Sequence, residues 1–316
     1  MKLNKVLTAL AATGMLAGAS VPVQADVLAQ SVLTLENFRF INTAGGILDV
    51  SQFDALVFSD STDISATLNG TTLDYSAGPI NTFGGIDGLH QCVGTGCAAL
   101  GQNNFGEIST PTVDRARGDT LLSGAPLSGT GFAFGATAST LAEAQLVNNG
   151  TGSAEDNLGL LATISFSLTQ DQIVGVAFDI DQFLRALLTA DSLLGSTAQA
   201  RSFWSISLAN AAGDTLFDWT PDGVLNTSIT GGLEITDQCD MTRTLGAQLP
   251  GQTATYDCEG SAAAFTDFAL LASEFYTLTI AHESTADANL LVSEPGTVAL
   301  LGLSLLGLGA LRRRIA

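Results

Sequence analysis

Short runs of alternating apolar and polar residues, separated by Gly, Asn, Asp and Ser, dominate the chain between residues 26 and 293. A period of two puts every other side chain on one face of an extended strand, so each run predicts a strand with one buried face. In 160–168, Ile164, Phe166 and Leu168 oppose Thr163, Ser165 and Ser167; in 202–208, Trp204, Ile206 and Leu208 oppose Phe203, Ser205 and Ser207. The same spacing sets Val174, Val176, Phe178 and Ile180 on one side of 173–183, and Tyr276, Leu278 and Ile280 on one side of 275–281. A further strand is expected over 32–40, where Phe38 and Phe40 lie two apart. Asn69-Gly70, between 63–68 and 71–75, is the strongest hairpin signal, because both residue types accept the positive φ of a tight turn. A second hairpin is expected where 209–214 leads into 215–220.

Helical signal is sparse. Only 140–147 and 183–194 are suited to a few helical turns, and neither carries a sustained amphipathic stripe. The turn spacing therefore predicts a mainly β chain, an antiparallel β-sandwich or jelly roll, rather than alternating strands and helices. The Gly-, Ala- and Thr-rich stretch 118–140 is the one candidate seam, and it lacks a linker-like charge run. A single domain over 26–293 is the expected organisation.

Composition adds direction. Of 316 residues, 46% are hydrophobic and 13% charged, which is too apolar for a disordered chain. Lys2 and Lys5 stand at one end and Arg312, Arg313 and Arg314 at the other; between them only six arginines face all 31 acids. Such an acidic, lysine-free body is unsuited to nucleic acid.

The two ends read as addresses. Lys2 and Lys5 precede an apolar stretch over 6–19, and Val23-Gln24-Ala25 offers small residues for cleavage, so 1–25 is expected to be a secretory signal peptide cut by signal peptidase. At the other end, Glu294, Pro295 and Gly296 precede an apolar run, 298–311, that would span only ~21 Å as a helix, short of a ~30 Å hydrocarbon core. Arg312, Arg313 and Arg314 would hold its far end on the cytoplasmic side. This tail, 294–316, resembles a PEP-CTERM sorting signal, in which a Pro-Glu-Pro motif precedes a short apolar helix and a terminal basic cluster. Here Ser293 stands where the pattern has its first proline. The resemblance implies a chain carried across the inner membrane of a Gram-negative bacterium. It would be held there transiently by a short transmembrane helix, cut by an exosortase, and delivered to the cell surface or extracellular matrix, where exopolysaccharide is the associated partner. It covers the tail alone and transfers a route, not an activity.

The four cysteines fall as two local pairs, Cys92 with Cys97 and Cys239 with Cys258. In an exported chain that arrangement predicts two disulfides. Zinc is the rival reading, but neither pair has CxxC spacing and His90 is the only close histidine. His282-Glu283 opens like a zinc-protease helix, yet Ala286 occupies the position of the second histidine, and a strand-end or surface residue is the expected role. No nucleophile elbow, Walker loop or dinucleotide fingerprint occurs.

Carboxylates are the remaining chemistry. Asp179 and Asp181 share one face of a strand over 173–183 and are the calcium candidates, with Arg185 close enough to neutralise them. Asp54, Asp60 and Asp63 form a second acidic group. Trp204, Trp219 and Tyr276 suit either sugar stacking or a sheet core. The expectation is a non-catalytic surface or matrix protein associated with polysaccharide. The alternative is a secreted polysaccharide hydrolase using two carboxylates about 5 to 9 Å apart.

Overall fold

A computed structural model describes residues 25–80 and 84–292, with the side chains of 158–162 excepted. The tail residues Glu294, Pro295, Gly296, Arg312, Arg313 and Arg314, and the leader apart from Ala25, lie outside the described residues.

In chain order the strands are β1 (Val27–Ile41), β2 (Phe53–Leu68), β3 (Thr71–Ile80), β4 (Asp87–Gly94), β5 (Arg115–Ser123), β6 (Ala136–Leu146), β7 (Gly150–Leu168) and β8 (Gly175–Leu188). They continue with β9 (Thr197–Asn210), β10 (Thr215–Trp219), β11 (Ile229–Thr230), β12 (Gly232–Asp237), β13 (Arg243–Ala247), β14 (Thr253–Thr266) and β15 (Tyr276–Leu290). Two antiparallel sheets pack as a sandwich. One runs β12-β14-β8-β1-β6-β5-β4; the other runs β11-β10-β9-β15-β7-β2-β3, with β13 also pairing along β9. Both sheets draw strands from each half of the chain, and 118–140 is simply β5, a connection and β6.

The alternation seen in the sequence is the inside–outside alternation of the sandwich. β15 buries Tyr276, Leu278, His282, Ser284, Ala286, Ala288 and Leu290 at every second position, interrupted only at half-buried Ile280. β9 does the same with Ala198, Ala200, Ser202, Trp204, Ile206 and Leu208. Asn69 and Gly70 carry φ of 51° and 79° at the β2–β3 turn, the left-handed pair that the hairpin requires.

The segments 140–147 and 183–194 are not helical. Residues 140–146 lie in β6 and 183–188 end β8, both interior strands of their sheet, and 189–194 form the loop that follows. Both segments are rich in Ala and Leu, strong helix formers, and pairing within the sheet overrides that local preference. The outer cover of β6 is the 98–114 connection: Phe105 packs on Val32, Leu141 and Phe183. Beneath it, Glu143 accepts from Arg115 Nη2 at 2.7 Å and from Arg117 Nε at 2.8 Å, so the charges are buried as a paired set.

The interior has two different ends. At one, Phe40, Phe166, Phe178, Trp204 and Trp219 form a ring cluster, with Phe178 and Trp204 centroids 4.7 Å apart. The Trp219 indole N–H donates to buried Glu234 Oε1 at 2.6 Å. At the other end the sheets meet through Ala29, Ala66, Ala116, Ala142, Ala144, Ala154, Ala186, Ala198, Ala286 and Ala288. Small side chains let the layers approach: Cα atoms of β6 and β15 come within 8 Å, where facing sheets usually stand ~10 Å apart. Gly118 of β5 marks the approach, since a Cβ there would lie 2.7 Å from Ile64 Cγ2 and 3.4 Å from the Glu155 and Ser65 carbonyl oxygens of the facing sheet.

Candidate functional site

Between the two ends a band of polar side chains crosses the interior. In one sheet Ser202, Ser284, Asp156 and Ile64 are successive cross-strand partners; in the other Gln182, Leu33, Thr140 and Thr120 are. The two rows are bonded to each other. Gln182 Nε2 donates to Ser202 Oγ at 2.5 Å, and Ser31 Oγ donates to Ser284 Oγ at 3.2 Å. Thr140 Oγ1 lies 2.9 Å from both Ser284 Oγ and His282 Nε2. Asp156 Oδ2 accepts from the Leu141 amide across the sandwich at 3.1 Å. Burial drives the Asp156 carboxyl well above the carboxylate range, with the nearby Asp119 charge pushing the same way.

Beside this band, at the aromatic side, lies a cavity of about 70 Å³ lined by Leu35, Phe38, Phe58, Ile164, Ile280 and the two titratable groups Asp60 and His282. Desolvation pushes Asp60 up to about 6. The same cause lowers His282 to about 4, so its imidazole is neutral. His282 Nε2 lies 3.2 Å from the Leu33 carbonyl, which only an N–H can satisfy, so the lone pair sits on Nδ1. That nitrogen is buried with no partner.

This arrangement is not that of a nucleophile and its base. Thr140 Oγ1 touches the imidazole nitrogen that carries the proton, and no carboxylate orients the ring from Nδ1. The 2% exposure of His282 also keeps it from a polymeric substrate. His282 is therefore a mid-strand interior residue, not the strand-end or surface residue that its sequence context suggested.

The other candidates separate. Asp54 and Asp63 face outwards whereas Asp60 points in, so they form no common site. Trp204, Trp219 and Tyr276 are buried in the core and present no ring to a sugar. His90 is half-buried on β4, beside the Cys92–Cys97 bridge.

Asp179 and Asp181 do share one face, the outer face of β8. Asp179 Oδ2 accepts from Asn37 Nδ2 at 2.8 Å. Asp181 is held above the usual range by desolvation first and then by Glu259, Asp257 and Glu36. Arg185 acts on Glu107, where it opposes the desolvation and the acidic neighbours that raise that carboxyl. Among the described residues no three His, Cys, Asp or Glu side chains converge as a metal-ligand set.

Both cysteine pairs are bonded, Cys92 to Cys97 and Cys239 to Cys258, and no free cysteine is present among the described residues. The first closes the turn after β4; the second ties β14 to the segment after β12. Such bonds belong to an oxidising, extracytoplasmic environment.

No protein-family model, curated protein or solved structure matches this chain.

The polar band escaped the sequence reading, although a signal was present. Ser31, Gln182, Ser202, His282 and Ser284 each occupy the apolar phase of an otherwise alternating strand.

Proposed function

We propose that this is an exported cell-surface or matrix protein. A signal peptide and an exosortase-type tail carry it out, and the sandwich acts by presenting its surface to extracellular polysaccharide rather than by catalysis. The observation that carries the reading is the placement of chemistry. Trp204, Trp219, Tyr276 and the cavity shared by Asp60 and His282 are enclosed, while Asp179 and Asp181 lie on the outer face of β8. Two disulfides and a near absence of basic residues fit an outward route and a soluble, self-repelling surface.

Acidic polymers would be repelled by this surface unless a divalent cation such as calcium bridges carboxylates on both sides. The test is a polysaccharide panel offered to the purified exported protein. Binding without turnover is expected, and binding of acidic polymers is expected to weaken on chelation. Glycan cleavage that is lost when one carboxylate is replaced would overturn the proposal in favour of the hydrolase.

A further inference from the structure

The chain enters and leaves the sandwich at the same place. The Asp26 amide donates to Thr189 Oγ1 at 2.7 Å, and the Thr189 amide donates back to the Asp26 carbonyl at 3.0 Å. On the same loop, the Leu193 amide donates to the Leu291 carbonyl at 3.1 Å. The loop over 189–196 thus joins the first and last residues of the body, at the alanine-lined end.

That end carries an apolar rim. Leu194 is 75% exposed, Leu249 62%, Leu193 41% and Leu291 38%. The Leu249 turn is attached to the same place: the Leu188 amide donates to the Gln252 carbonyl at 2.9 Å, and a Cβ on Gly251 would lie 3.8 Å from Ala190 Cα. Four leucines on adjoining loops, left exposed by the described residues, are unlike scattered single exposures, which need no explanation.

The sequence indicates what covers them. Five residues separate Val292 from the apolar run that starts at Val298, a contour of at most about 20 Å. The run 298–311 has Ser304 as its only polar side chain, so as a helix it has no polar face to turn to water. Four leucines cannot enclose a segment that is apolar all round, but a bilayer can. Whatever apolar medium receives the run lies within reach of the rim.

We infer that the leucine rim is a lipid-docking surface: while the tail is embedded, Leu193, Leu194 and Leu249 seat on the bilayer that holds residues 298–311. This rests on the proposed reading that the tail enters a membrane. The rim offers apolar area and acids, not cations. Burial together with the Asp191 charge holds the Asp26 carboxyl above its ordinary range at the same site. Docking is accordingly driven by leucine burial and gains nothing from anionic lipid.

The test uses the full chain in phosphatidylcholine vesicles, with an environment-sensitive dye on Leu194→Cys or, as a control at the far end, on Ala211→Cys. Quenching by lipid-borne quencher is expected to be severalfold stronger at position 194. Adding Leu193→Ser and Leu249→Ser should abolish that difference while the protein still floats with the vesicles. Equal, weak quenching at both positions in floating protein would overturn the docking surface and leave the embedded tail standing. Failure to float at all would overturn both. If the position-194 dye is shielded but insensitive to the lipid quencher, and shielding grows with protein concentration, a second copy covers the rim and the lipid assignment fails.

Discussion

The two ends of the sandwich are built from the same strands and the same alternation, yet they solve the core differently. At the aromatic end, Trp204, Trp219, Phe166 and Phe178 each bury a large side chain, and the sheets must stand apart to hold them. At the alanine end many inward side chains, among them Ala142 and Ala144 of β6 and Ala286 and Ala288 of β15, are methyl groups, and β5 comes close enough to β2 and β7 that Gly118 is required. The first arrangement gains stability mainly from apolar area; the second gains it from close contact, with little area per residue. The polar band marks the change from one to the other. The closed aromatic end is remote from both chain termini of the body, whereas the alanine end receives both.

The difference is broken most severely by Trp204→Ala. Its ring is fully buried against Phe178 and Trp219, so a loss of about 3–5 kcal/mol is expected in urea unfolding. Replacing Cys239 and Cys258 by serine opens the 19-residue separation that anchors β14 near the aromatic end, and should cost roughly 3 kcal/mol in the chain-entropy account. The Cys92–Cys97 ring spans only five residues and should matter less on the same measurement.

The cavity between the ends supplies a pH test with two opposing signs. His282 has a folded pKa of about 4, below the ordinary 6.5, so its contribution is intact above 6.5 and is lost as pH falls towards 4. Asp60 has a folded pKa of about 6, above its ordinary 3.8, so its contribution is intact below 3.8 and is lost as pH rises through 6. Relative to the parent, Asp60→Asn should therefore become less stable on acidification from pH 6.5 to 4, and His282→Gln more stable. Each change should be on the order of 2–3 kcal/mol across that window. Parallel pH profiles for all three proteins would contradict the burial of these groups.

At the alanine end the expected effect is smaller and opposite in origin. Ala144→Leu adds volume where the sheets already touch and should cost about 1–3 kcal/mol through overpacking. A neutral or stabilising result in the same urea assay would mean that the sheets can part there.

Much of this architecture was legible because a period-two pattern is a direct record of one-sided burial. Ile164, Phe166 and Leu168 point in, as do Trp204, Ile206 and Leu208. The cysteine pairs were legible because each is local. The strand over 173–183 was legible as most of β8, whereas 140–147 and 183–188 were not, because their Ala- and Leu-rich runs favour helix locally and only pairing within the sheet makes them strand. The shared cavity of Asp60 and His282 was hidden for another reason. It depends on register shifts between Ser59 and Thr62 in β2 and between Ile280 and His282 in β15, and on the facing sheet, none of which a strand pattern encodes.

The alanine end is where the central claim is most exposed, because both expected processing steps act on chain that leaves the sandwich there. Intact-mass measurement of the protein recovered from the surface of the producing cell tests it directly. The account predicts a species that begins at Asp26, retains both disulfides and lacks residues 298–316. A main species that still carries Arg312, Arg313 and Arg314 would contradict it.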